Sequence, residues 1–162
     1  MERVAPVDTA TLRGARAVGI VCAAAFLAPV VLALIFPAAF LFAPYHPAYQ
    51  RMLSAILLAF ALGLSLALRD PVRNAGVYAV IGLASGFLAG AIAYTLLVDP
   101  ADPLHWIVQV PLLGFIALAL VVTYTRLRRP HPVIVRIVVV AVVLFPMLLY
   151  AYDAALRAFV PR

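Results

Sequence analysis

Of the 162 residues, 67% are hydrophobic and only 11% are charged, and the mean hydropathy is +1.15, whereas a water-soluble domain carries roughly 25% charged residues. So few polar side chains cannot clothe a folded surface in water, which excludes a soluble domain and makes lipid the solvent. The formal charge of +6 comes from twelve arginines, with no lysine, against six acids; the arginines sit in short connectors between apolar runs, as topology signals do, and not in a basic stripe interleaved with aromatics, which excludes nucleic acid as a partner.

Five apolar runs follow one another at 17–42, 52–68, 75–98, 107–125 and 133–150. About 20 apolar residues in a helix cross the hydrocarbon layer, so the expected fold is all-α, a polytopic transmembrane helical bundle of five transmembrane helices. It makes one domain: residues 1–16 form a cytoplasmic N-terminal segment, 17–152 the five-helix transmembrane domain and 153–162 a short exterior C-terminal tail.

The first run follows Arg13 and Arg16 and ends near Ala38 and Ala39, but its length exceeds the 7–15 apolar residues of a signal peptide, and it is expected to stay attached. Pro29 and Pro37 predict either one kinked helix or a helix that ends near Phe36 and re-enters as a shorter segment. The only cysteine, Cys22, lies inside this run and reads as a small apolar packing residue.

Proline opens the next helices. Pro47 follows His46, Pro71 follows Asp70, Pro103 follows Asp102 and Pro132 follows His131. Proline at the first helical position loses no hydrogen bond, and aspartate before it is a good cap, so Asp70 and Asp102 read as caps and not as catalytic acids. The second run carries Ala55, Ala59, Gly63 and Ala67 four residues apart, and the third carries Gly82, Gly86 and Gly90 at the same spacing, flanked by Ala75, Ala79, Ala89 and Ala93. Small residues at that spacing share a helix face and let two backbones approach closely. A tight antiparallel hairpin of the second and third helices across residues 69–74 is therefore expected. The fifth run has almost no small residues and reads as a peripheral helix, facing lipid or a partner through bulky side chains.

With the N-terminus inside, Arg3, Arg13, Arg16, Arg69, Arg73, Arg126, Arg128, Arg129 and Arg136 fall inside and Arg51, Arg157 and Arg162 outside, nine against three. That bias predicts N-in, C-out. Tyr45, Tyr49, Tyr94, Trp106, Tyr150 and Tyr152 then mark the outer boundary, and Tyr78 and Tyr124 the inner one. Arg126, Arg128 and Arg129 are candidates for holding an anionic lipid headgroup, although topology alone also accounts for them.

Chemistry is sparse. No ionisable residue lies well inside any run, which argues against a proton path or coupled transport. Ser54, Ser65, Ser85 and Thr95 are able to bond back to the preceding turn, while the amide of Gln109 needs a partner that lipid does not supply. His46, His105 and Gln109 are the candidate cofactor-binding residues, at the predicted outer surface; a haem or chlorophyll there is the alternative to the simpler reading, in which they are interfacial polar residues and no cofactor is bound. His131 reads as interfacial. No catalytic residue and no metal site is assigned, and no nucleophile elbow, phosphate-binding loop, CxxC pair or HExxH sequence occurs.

The stretch from Ala59 to Ala79, in which a small-residue helix runs into Leu68, Arg69, Asp70, Pro71, Val72, Arg73 and Asn74 and on into another such helix, resembles the DoxX-like small bacterial integral membrane proteins. The resemblance covers the second to fourth helices and implies a four-helix membrane core in the bacterial cytoplasmic membrane; it brings no site residues, and the fifth run departs from it. The expected function is a non-catalytic accessory or structural subunit of a larger membrane assembly of respiratory or photosynthetic type, with the bilayer and other membrane subunits as partners, docking through the fifth helix or the glycine track. The alternative is a small membrane carrier or enzyme using an outer-side cleft.

Overall fold

The computed structural model describes residues 7–36, 47–98 and 103–159. They form five helices, α1 (Thr9–Ile35), α2 (Pro47–Ala67), α3 (Ala75–Val98), α4 (Pro103–Arg128) and α5 (Pro132–Phe159), and no strand among the described residues. Each helix is long and apolar enough to cross a membrane. The protein is thus a five-span helical membrane bundle, and its boundaries explain themselves locally. Pro47, Pro103 and Pro132 each occupy a first helical position, as their missing N–H permits.

Some ends differ from the sequence expectation. Helix α1 starts at Thr9 and takes in Arg13 and Arg16. The α4 helix starts four residues before the apolar run, and α5 continues past Tyr152 to Phe159, so that Asp153 is helical. Helical propensity and cap chemistry carry a helix beyond its hydrophobic stretch into the headgroup layer, and apolar composition does not register that extension. Of the two readings of the first run, the helix ends at Ile35 with Phe36 as its cap, and Pro29 lies within it; residues 37–46, where a re-entrant segment was considered, are outside the described residues.

Before α3, Pro71 is fully buried and Asp70 caps a separate turn: its Oδ1 accepts the Arg73 N–H at 3.0 Å, and its carbonyl accepts the N–H of Asn74 at 3.0 Å. Helix α3 proper begins one turn later, at Ala75. At the far end of α4, Arg129 adopts φ 45° and its N–H reaches Thr125 O at 2.9 Å, closing the helix in a left-handed cap just before Pro130.

Packing joins α1 to α2, α2 to α3, α3 to α4 and α4 to α1, a ring of four, with α5 applied to α3 from outside. The register gives the directions. Phe26 meets Phe60 edge-on, with ring centroids 5.4 Å apart, while Gly19 meets Leu68, so α1 and α2 run antiparallel. Gly82 faces Leu120 and Val121 and Gly86 faces Ala117, so α3 and α4 are antiparallel as well; Gly86 faces Val142 and Gly90 faces Phe145 and Pro146, so α3 and α5 run parallel.

The expected α2–α3 hairpin is therefore corrected. The closest approach of α3 is to α4, and its meeting with α2 is the sparsest of the five packed pairs. A methyl group on Gly82 would lie 3.1 Å from Leu120 Cβ and 3.3 Å from the Ala117 carbonyl oxygen, a close approach that glycine favours. On α2, Ala55 and Ala59 are exposed, Gly63 touches Ile81 and Val77 of α3, and Ala67 is buried. The four-residue spacing marked the right face of α3 but could not say which neighbour fills it. On α2 the buried residues are instead Ala61, Leu64 and Ala67, with the half-buried Phe60 against Phe26 of α1.

Candidate functional site

Polar contacts between helices concentrate at the two ends of the bundle. At the arginine-bearing end, the fully buried Tyr78 donates from its hydroxyl to the Ala15 carbonyl at 3.2 Å, and Arg16 Nε donates to the Leu68 carbonyl at 3.3 Å. Leu68 O is a carbonyl left over at the end of α2, and a guanidinium is the natural partner for such a group. Gly19 makes this junction possible: a methyl group there would sit 2.7 Å from Leu68 Cδ2 and 2.9 Å from Tyr78 Oη. Three helices, α1, α2 and α3, are thus pinned together where the inner leaflet was expected.

At the opposite end, Tyr94 of α3 donates to Asp153 Oδ2 of α5 at 2.6 Å. The contact follows from the α5 stripe. Val135, Val138, Val142, Phe145, Leu149 and Asp153 recur three or four residues apart and, with Pro146, are the partly covered positions of an otherwise exposed helix; Val142, Phe145 and Pro146 among them meet Gly86 and Gly90. The aromatic pair Phe87 and Phe145, 5.0 Å between centroids, sits on the same seam. Sequence reading treated Tyr94 as a boundary aromatic and left Asp153 in a tail. The signal available was Asp153 falling four residues after Leu149 on that stripe.

Three of the four interior hydroxyls expected to bond back do so; Ser54 shows no such bond among the described residues. Ser65, Ser85 and Thr95 donate to the carbonyls of Ala61, Ile81 and Ala91 at 2.8, 2.8 and 3.0 Å, and Thr123 does the same to Ala119 at 2.7 Å. They need no further partner. His131 Nδ1 accepts the Val133 N–H at 3.3 Å, which makes it a cap of α5.

Of the candidate cofactor residues, His46 and the side chain of His105 lie outside the described residues, as does Asp102; Gln109 is half-buried on α4. A second amide at that end, Gln50 of α2, has its Oε1 enclosed without a hydrogen-bond partner among the described residues. Among the described residues no three His, Cys, Asp or Glu side chains gather to hold a metal ion. Arg126, Arg128 and Arg129 are all exposed at the end of α4, open to the headgroup layer. What the arrangement does chemically is hold helices together: hydroxyls, a guanidinium and a carboxylate serve as interhelical ties.

The outward surface is a continuous apolar one. On α5, Ile137, Val139, Val140, Val143, Met147 and Leu148 are exposed by half or more, and none of the most apolar stretch of this helix is buried. No protein-family model, curated protein or solved structure matches the chain.

Proposed function

We propose that the protein is a non-catalytic accessory or structural subunit of a larger membrane assembly, of respiratory or photosynthetic type, and that α5 is the element through which it docks. The observation that carries this reading is the asymmetry of α5. One narrow stripe binds it to α3, and the whole remaining circumference is apolar and uncovered. The glycine track, the other docking face considered, is taken up inside the chain by α4 and α5, which leaves α5 as the face for a partner subunit. A lack of ionisable groups deep in the bundle, apart from the Tyr94–Asp153 tie near one end, also favours a structural part over a carrier. The proposal includes placement in a bacterial cytoplasmic membrane with the N-terminus inside and the C-terminus outside, on the strength of the arginine distribution. The DoxX-like kinship belongs to the same proposal and rests on the 69–74 turn alone.

Extraction of native membranes in a mild detergent, followed by the native mass and absorption spectrum of the purified material, tests this reading. A stoichiometric complex with larger subunits is the expected result. A lone, coloured protein would replace it with the alternative of a small carrier or enzyme that binds a cofactor in an outer cleft.

A further inference from the structure

A groove of about 440 Å³ runs along the start of α3, lined by Arg73, Asn74, Gly76, Val77, Val80 and Ile81. It is a shallow, open one, lined by one face of the chain around the start of α3; two of its residues, Val77 and Ile81, also meet Gly63 of α2, so it lies beside that seam. At Gly76 the surface is open: a methyl group at this position would meet nothing within 4 Å.

The lining divides into two chemistries along the helix. Arg73 and Asn74 stand at the bundle end, while Val77, Val80 and Ile81 form an apolar wall reaching about 9 Å deeper at 1.5 Å per residue. Asn74 is already engaged through its Nδ2 with the Asp70 carbonyl at 3.0 Å, and the Asp70 carboxylate accepts the Arg73 backbone N–H. The Arg73 side chain is exposed, and no carboxylate among the described residues pairs with its guanidinium. Among the described residues, this end of the bundle carries Arg13, Arg16, Arg69, Arg73, Arg126, Arg128, Arg129 and Arg136 against Asp8 and Asp70. An occupant must therefore be anionic at the bundle end, apolar alongside α3, and present in the bilayer.

We propose that this groove is a binding site for an anionic phospholipid, with its phosphate at Arg73 and one acyl chain along Gly76, Val77, Val80 and Ile81. A free phosphate would satisfy the arginine and leave the apolar wall exposed; a zwitterionic lipid would fill the wall without matching the surplus positive charge.

Native mass spectrometry of the full-length protein in detergent, titrated with phosphatidylglycerol or phosphatidylcholine of the same acyl chains, reads the site. The parent should bind phosphatidylglycerol more tightly. Arg73→Gln should weaken that binding roughly fivefold, since one arginine near an anionic group contributes about that factor, with phosphatidylcholine unaffected. Gly76→Leu, which puts a side chain into the groove at a position where an added methyl group meets nothing within 4 Å, should abolish tight binding of phosphatidylglycerol while thermal stability without lipid is retained. Arg136→Gln, exposed at the same end and outside the groove, should leave the preference in place. The proposal is overturned if the two lipids bind the parent equally, if both groove variants bind as the parent does, if Arg136→Gln weakens binding as much as Arg73→Gln, or if glycerol phosphate without chains competes as well as the lipid.

Discussion

Gly86 of α3 and Val142 of α5 stand so close that a methyl group added to the glycine would lie 3.2 Å from Val142 Cγ1 and 3.7 Å from Ala117 Cβ of α4. One glycine thereby seats two helices. With Gly82 below it against α4 and Gly90 above it against Phe145 and Pro146, it makes α3 the axis on which the bundle is assembled.

Replacing Gly86 by leucine should destabilise the bundle far more than Val139→Leu, because the first change drives a side chain into a filled contact and the second alters an exposed position. Overpacking of this kind costs about 1–3 kcal/mol. Thermal unfolding of the two variants in detergent measures the difference, and equal midpoints would remove α3 from its central place.

The Tyr94–Asp153 bond should be worth about 0.6–1.7 kcal/mol, the range seen for hydrogen bonds between membrane helices. A double-mutant cycle with Tyr94→Phe and Asp153→Ala isolates it. The two single changes should each lower stability, and the double variant should lose no more than the larger of them. Fully additive losses would mean that the 2.6 Å contact does not tie α5 to α3.

Reporter fusions after Asn74 and after Pro132 are expected to read cytoplasmic, and one after Pro100 exterior. The fusion after Pro132 is the most discriminating. An exterior signal there would reverse the fourth and fifth spans and separate Arg126, Arg128 and Arg129 from the other arginines at the inner face.

How much of this was legible in the sequence differs from element to element. The five spans were, because apolar length and proline starts are local properties, and α3 occupies the 75–98 interval read from composition. The back-bonding of Ser65, Ser85 and Thr95 was too, since it involves only the helix itself. Partner choice was not. Gly82, Gly86 and Gly90 declare a face for close approach, yet whether α2, α4 or α5 fills it depends on how all five helices share space. The three polar ties were missed for a related reason: Tyr78 to Ala15, Arg16 to Leu68 and Tyr94 to Asp153 join residues 63, 52 and 59 positions apart. His46 and the His105 side chain fall outside the described residues.

Site-specific photocrosslinking on α5 in native membranes tests docking most directly. A photoreactive residue in place of Val143, which is 67% exposed, should yield one discrete adduct with another membrane subunit, while the same residue in place of Val142, which faces Gly86, should react only within the chain. Adducts with lipid alone from the Val143 position, and likewise from Val139 and Met147, would contradict the docking role of α5.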